Sequence, residues 1–150
     1  MKTVNVNQFA DALMEDLNNI TDSMCENVKK AVDEVALETK NEIDRHITFN
    51  DYGNKKRKAG TYRKSLKLKT VSETKTGKTV VWYASGKEYR LTHLLEYGHK
   101  TRLGSGNSHV SRDGTSRKAF TNAYPHIRYG YEYANANLPK RIEEALNNAN

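Results

Sequence analysis

The strongest constraint on this chain is what its first third lacks: between Asn7 and Thr48 there is neither proline nor glycine. Along that stretch Phe9, Leu13, Leu17, Ile20, Met24, Val28, Val32 and Val35 recur at steps of three and four. That spacing stacks side chains on one face of an α-helix. Ile43 and Ile47 resume the stripe after a polar interval around Thr39 and Lys40. The pattern predicts a helix over 7–48, with Asn7 as its N-cap. A helix of about forty residues reaches ~60 Å, long for a small domain. "NNITD" at 18–22 is where a break would fall, because Asn, Thr and Asp are poor in helix interiors. One small domain cannot cover so narrow a stripe along its whole length. Part of it is therefore expected to face another subunit.

The chain has 150 residues, which suits one domain with one modest core. Only 36% of them are hydrophobic and the mean hydropathy is −0.88, low for a self-contained globule. No apolar run approaches the roughly 18 residues of a transmembrane helix. The opening "MKTVNVNQFADALMED" lacks the continuous apolar core of a secretory signal. A single cysteine, Cys25, excludes an internal disulfide and a cysteine-based zinc site. A soluble protein made in a reducing cytoplasm, with no membrane partner, is the expectation. Charge is unevenly spread: residues 1–50 hold ten Asp/Glu against five Lys/Arg, and residues 51–150 hold eight against twenty. Such asymmetry suits nucleic-acid contact, docking between unlike faces of neighbouring subunits, or a merely solvated surface.

After the long helix, "FNDYGNKKRKAG" (49–60) reads as a loop, and a strand is expected to begin near Tyr62. Leu66 and Leu68 alternate with Lys67 and Lys69, as in a half-buried strand. Thr76-Gly77 makes a hairpin turn, and "TVVWYAS" supplies a return strand rich in β-branched and aromatic residues. Ser85 is expected to cap a short helix that runs to Tyr97, with Gly98 just past its end. Leu91, Leu94 and Leu95 would form its buried face. Residues 98–123 lack periodicity; a loop this long in a small domain is functional or disordered. In the closing segment Tyr124, Ile127, Tyr131, Ala134 and Leu138 fit one helical face, which Ile142 and Leu146 continue. Pro139 lies inside it and is expected to kink that helix or to start a second one.

Several constellations invite a chemical reading. In "HLLEYGH", His93, Glu96 and His99 stand three apart, but zinc proteases place two histidines four apart, with Glu beside the first. A further ligand would have to come from His109 or His126. The structural reading is that Leu94 and Leu95 pack, Glu96 pairs with a basic neighbour, and Gly98 reverses the chain. Cys25 lies close to the apolar stripe and reads as a small hydrophobe rather than a nucleophile. "GSGNSH" lacks the lysine and hydroxyl order of a phosphate-binding loop. Asn107 and His109 alone make a weak nuclease site. No catalytic residue, metal ligand or cofactor is assigned. Residues 55–69 hold eight Lys/Arg, no acid, and Tyr62 among them. That suits phosphate contact and one stacked base, or equally a solvated, lysine-rich strand edge that resists unwanted pairing. No zinc-finger, helix-turn-helix or paired-aromatic sheet signature accompanies it.

Three segments resemble a known family in order and spacing: "AGTYRKSL" (59–66), "YRLTHLLEYGH" (89–99) and "YPHIRYGYEYA" (124–134). With the long first helix they are similar to the gene-ten-like minor structural proteins of long-tailed bacteriophages, over roughly residues 8–147. Where that family often has Pro-Ala after the third motif, this chain has Arg128-Tyr129-Gly130. The resemblance implies an α+β fold: a long N-terminal helix, an antiparallel sheet built on a central hairpin, and a C-terminal helix in one head–tail joining domain. It implies a non-enzymatic virion protein of the neck, made in the host cytoplasm and working as a homo-oligomeric ring against portal-side or tail proteins. Gly60, Tyr62, Arg63, Ser65, Glu96, Tyr97, Gly98 and Pro125 are then structural motif residues. Lys55, Lys56, Arg57, Lys58, Lys100, Arg102, Arg112, Arg117 and Lys118 are the candidates for contact with a partner protein or with phosphates of channel DNA, the last five lying in a long basic loop at about 99–123. A basic nucleic-acid-binding module is the alternative.

Overall fold

The structure, a computed structural model, describes residues 6–49, 58–100 and 121–148 (backbone only for 6–9). Helix α1 (Val6–Arg45) runs unbroken. It starts one residue before Asn7, and "NNITD" does not interrupt it. The Thr21 hydroxyl donates back to the Leu17 carbonyl at 2.8 Å, so this poor helix former keeps its polar group satisfied within the helix. Then follow a one-turn helix α2 (Thr61–Ser65), strands β1 (Leu66–Glu73) and β2 (Lys78–Ala84), a 3₁₀ turn (Gly86–Glu88), α3 (Tyr89–Tyr97) and α4 (Ile127–Asn147). The strands pair as a two-stranded antiparallel hairpin, giving an α+β fold with the expected long helix, hairpin and final helix.

Contacts divide the chain into two compact units, and α1 contributes to both. The first comprises Met1–Thr39, Leu68–Trp82 and Glu132–Asn150. Here β2 alternates strictly between half-buried and exposed residues, the period of a strand with one covered face. Val32 and Val35 of α1, Leu68, Val80 and Trp82 of the hairpin, and Leu138 of α4 line one small gap of about 150 Å³. Ion pairs tie the hairpin to α1. Lys78 reaches Asp33 at 2.6 Å, Lys29 lies 3.0 Å from Glu26 and 3.8 Å from Glu73, and at the hairpin tip Lys75 meets Asp22 at 2.8 Å. Their carboxylate partners, by hydrogen bond first, hold these three ammonium groups above the usual lysine range. On α4, the Tyr133 hydroxyl and Arg141 both reach Glu38, at 2.7 and 3.1 Å. Pro139 neither ends nor divides α4. Its missing N–H leaves the carbonyl of Asn135, an exposed residue, without that donor of the helical ladder.

The second unit comprises Lys40–Lys67 and Tyr83–Tyr131. Among the described residues its buried apolar side chains are Ile43, Ile47, Tyr62 and Leu66, with Glu96, His126 and Ser65 among them. Four expectations fail in this region. Tyr62 sits on helix α2, not on the strand, which begins at Leu66. Ser85 makes no side-chain cap; its N–H donates to the Ser65 carbonyl at 2.9 Å, and α3 starts later, behind the 3₁₀ turn. Tyr124 precedes α4, its N–H bonded to the Leu95 carbonyl at 2.7 Å. Tyr131 is 68% exposed, while Gly130 takes the buried position beside it.

Candidate functional site

The motif segments meet in one buried cluster of the second unit. Gly60 starts it: at φ 73° it adopts a left-handed conformation that carries no Cβ penalty for glycine alone, and its carbonyl accepts from the Lys64 N–H at 3.1 Å. That bond closes the single turn of α2, and the Ser65 hydroxyl donates to the Tyr62 carbonyl at 2.6 Å to finish it. The turn swings Tyr62 inward, to 0% exposure. Arg63, next along, points its guanidinium to the end of α1. It donates to the Asp44 carbonyl at 2.9 Å and to the Ile47 carbonyl at 3.1 Å. A cation that fills carbonyls left without partners at a helix C-terminus is favoured twice, by hydrogen bonding and by the helix dipole.

Tyr62 meets His126, which is also 0% exposed, with 2.8 Å between the hydroxyl and Nε2. Nδ1 of His126 lies 2.8 Å from the Tyr124 carbonyl, a group that can only accept. Nδ1 therefore donates to that carbonyl, and Nε2 shares the other hydrogen bond of the ring with the Tyr62 hydroxyl. Phe49 packs against this pair and against Tyr124, with ring centroids 5.4–5.8 Å apart. His46, near the end of α1, stacks on Tyr129 at 3.9 Å.

Glu96 is the hinge of the arrangement. Its side chain is 6% exposed, and it accepts backbone N–H groups from His126 (2.8 Å), Ile127 (3.0 Å) and Arg128 (3.0 Å). These are the first donors of α4, so a carboxylate thirty residues upstream caps that helix in place of a local N-cap. Burial pushes the Glu96 carboxyl up, but the three N–H donors and the nearby His126 outweigh it and hold it below its ordinary value of 4.5. The basic side chain expected beside Glu96 is His126, its Nδ1 3.2 Å from Oε2, and a helix N-terminus joins it there. Gly98, at φ 68° and ψ 172°, then turns the chain through backbone space that is essentially restricted to glycine.

The "HLLEYGH" triple does not converge. His93 is exposed, Glu96 is turned inward, and Nδ1 of His99 lies 2.9 Å from the Thr121 hydroxyl. The His99 carbonyl also accepts from the Thr121 N–H at 2.9 Å. Among the described residues no three metal-ligating side chains form a group. No helix of the described chain is long and apolar enough to cross a membrane. Cys25 is half-buried.

Outside the cluster, Tyr97 is 76% exposed and Pro125 is exposed as well. Both border an open cleft of about 710 Å³, with Tyr89, Tyr131, His93 and Arg128 around it. The Thr92 hydroxyl also lies on this cleft, buried and without a hydrogen-bond partner. Of the basic contact candidates, Lys58 and Lys100 are exposed. Lys55, Lys56, Arg57, Arg102, Arg112, Arg117 and Lys118 lie outside the described residues, as do Asn107 and His109. Sequence reasoning missed Phe49, which it left in a loop, and considered His126 only as a metal ligand. The signal for His126 lay in its place directly after Pro125 within the third motif segment.

The segments that carry the resemblance to a phage structural family thus build one buried cluster around Tyr62 and His126, with large apolar side chains exposed elsewhere. Comparison with known families agrees. A family model for HK97-gp10-like proteins, described as "Bacteriophage HK97-gp10, putative tail-component", matches residues 11–98, more than half of the chain. The chain belongs to this family of phage structural proteins. No curated protein and no solved structure matches it.

Proposed function

We propose that this chain is a non-enzymatic virion protein of the phage neck. It completes the tail and joins it to the head by forming a ring and docking onto neighbouring neck or tail proteins. The observation that carries the reading is the outer part of α1. Leu13, Met14, Leu17 and Ile20 are 49, 59, 50 and 43% exposed on a helix that buries Ala31, Val35 and Ile43 further along. A contiguous apolar stripe of this kind marks an interaction surface. Membership of a tail-component family supports a partner within the virion. The test is a phage lacking this protein. The expected defect is DNA-filled heads beside separate tails, with joining restored when the purified chain is added. Complete, infectious particles formed without the protein would refute the reading.

Exposed lysines favour a subsidiary contact with channel DNA. Lys58, Lys64 and Lys87 surround a cleft of about 380 Å³, with Glu88 the one acid on its lining. Non-specific phosphate binding would fall steeply with salt, because released counterions drive it. Neutralising Lys55, Lys56, Arg57 and Lys58 together with Lys64 and Lys87 is expected to lower DNA retention. If those changes block joining and spare retention, the basic surface serves protein contact instead.

A further inference from the structure

The overhang of α1 and the tyrosine cleft of the second unit are complementary in chemistry: one is apolar and acidic, the other aromatic with an arginine on its lining. In the first unit the hairpin tip reaches α1 at Asp22, through Lys75, and the end of α4 borders it around Asn27 and Lys30. Every residue from Ala10 to Ser23 is exposed. Those fourteen residues span ~20 Å of helix and present Leu13, Leu17 and Ile20 at the i, i+4, i+7 spacing of a helix that lies in a groove. The same stretch carries Asp11, Glu15, Asp16 and Asp22 and no Lys or Arg. Asp22 is taken by Lys75; the other three carboxylates oppose pairing of this helix with its own copy, and they oppose DNA and anionic lipid as well. Its partner must be apolar at the centre and basic at the rim.

The cleft of about 710 Å³ has that chemistry. Its walls are Tyr89, Tyr97 and Tyr131, exposed by 58, 76 and 68%, with Ile127 and Pro125 between them. Its cation is Arg128, with the His93 imidazole on the same lining, and Arg90 lies beside Tyr89, 5.8 Å from the ring centre. Its one acid, Glu96, is already consumed by three backbone N–H groups. Exposed tyrosines with a nearby arginine are the residue types that dominate binding energy at protein interfaces.

We infer that the α1 overhang of one copy seats in the tyrosine cleft of the next, so that the ring of the proposed function is closed by a helix-in-groove contact. The inference rests on that reading. The two surfaces differ, so the contact is heterologous: each copy offers a helix to one neighbour and a cleft to the other, which builds a ring when the rotation closes.

The test uses two full-length variants, Leu17→Glu and Tyr131→Glu. Both residues are exposed, and matching thermal melts check that each variant folds. Assembly is read by light scattering, alone and on particles that lack the protein. Each variant alone is expected to lose assembly at least tenfold in concentration. An equal mixture is expected to stop at a dimer, because one intact helix and one intact cleft remain. In a Cys25→Ser background, Leu17→Cys and Tyr131→Cys placed in one chain should give a ladder of bismaleimide-linked species. If wild-type chain assembles or completes particles while Tyr131→Glu does so equally well and no ladder forms, the contact is overturned and the ring reading stands. If wild-type chain associates neither with itself nor with the particles, both fall.

Discussion

Leu13, Leu17 and Ile20 share one helix and one hydrophobic rhythm with Ala31, Val35 and Ile43, yet the first three are 43–50% exposed and the second three 2–6%. Nothing local distinguishes them: both sets repeat at steps of three, four or their sums on a helix without a break. The difference lies in the neighbours. Hairpin and α4 cover the first unit's stretch of α1 and reach no further than about Asp22, where Lys75 holds the hairpin tip. Periodicity thus locates the face of a helix that can be buried, and the length of what packs on it decides how much is.

The comparison breaks or sharpens through stability measurements, in order of expected effect. Tyr62→Ala empties a fully buried site and is expected to cost about 3–5 kcal/mol by denaturant unfolding, with His126 left unpartnered at Nε2. A loss under about 1 kcal/mol would show that the cluster does not hold the second unit together. Glu96→Gln is expected to cost about 2–3 kcal/mol at neutral pH, since one amide oxygen cannot serve three buried N–H groups. Its cost depends on pH with a definite sign. The folded-state value of Glu96 lies below its ordinary 4.5, so the carboxylate stabilises above that value and loses its contribution as pH falls through the lower, folded-state value. Wild type and Glu96→Gln should therefore converge in acid; a constant gap from pH 7 down to about 2 would contradict the capping role.

Gly98→Ala is expected to cost about 1–2 kcal/mol, because φ 68° with ψ 172° is strained for any residue with a Cβ. Lys78→Met removes the link to Asp33 and Glu73 and should shift the unfolding midpoint less, with the difference fading at high salt. Leu17→Ala is expected to change stability of the free chain by no more than about 0.5 kcal/mol, in contrast to Tyr62. A larger loss would mean that the overhang is covered within the chain.

Much of the fold was legible in the sequence. An uninterrupted helix, a hairpin around Thr76-Gly77, a helix ending at Tyr97 and a final helix all follow from periodicity and from the placement of glycine. Boundaries set by distant partners were not. Ser85 has a cap's identity, but its backbone answers to Ser65 and its side chain caps nothing. Asn7 and Tyr124 were misassigned by a residue or a few, within the range over which helix ends respond to tertiary contacts. Tyr131 fits the apolar face by count and lies outside, because small Gly130 takes the buried place.

The candidate site divides the same way. Gly60, Tyr62, Arg63, Ser65, Glu96 and Gly98 stand out in the sequence through the family resemblance of their segments, and nothing in those segments reveals what each one touches. The roles come from separation along the chain: Tyr62 to His126 spans 64 residues, and Glu96 to the α4 N-terminus spans 30–32. By itself the sequence determined the helices, the hairpin, the stripe and the acidic character of the first third, because these depend on dihedral preference and on neighbours within four residues. Only the tertiary structure decided that Glu96 caps a helix, that Tyr62 and His126 share a hydrogen bond, and that the stripe is covered at one end and bare at the other. Those outcomes depend on which distant segments arrive at the same place, a matter of chain closure and packing that local periodicity does not encode.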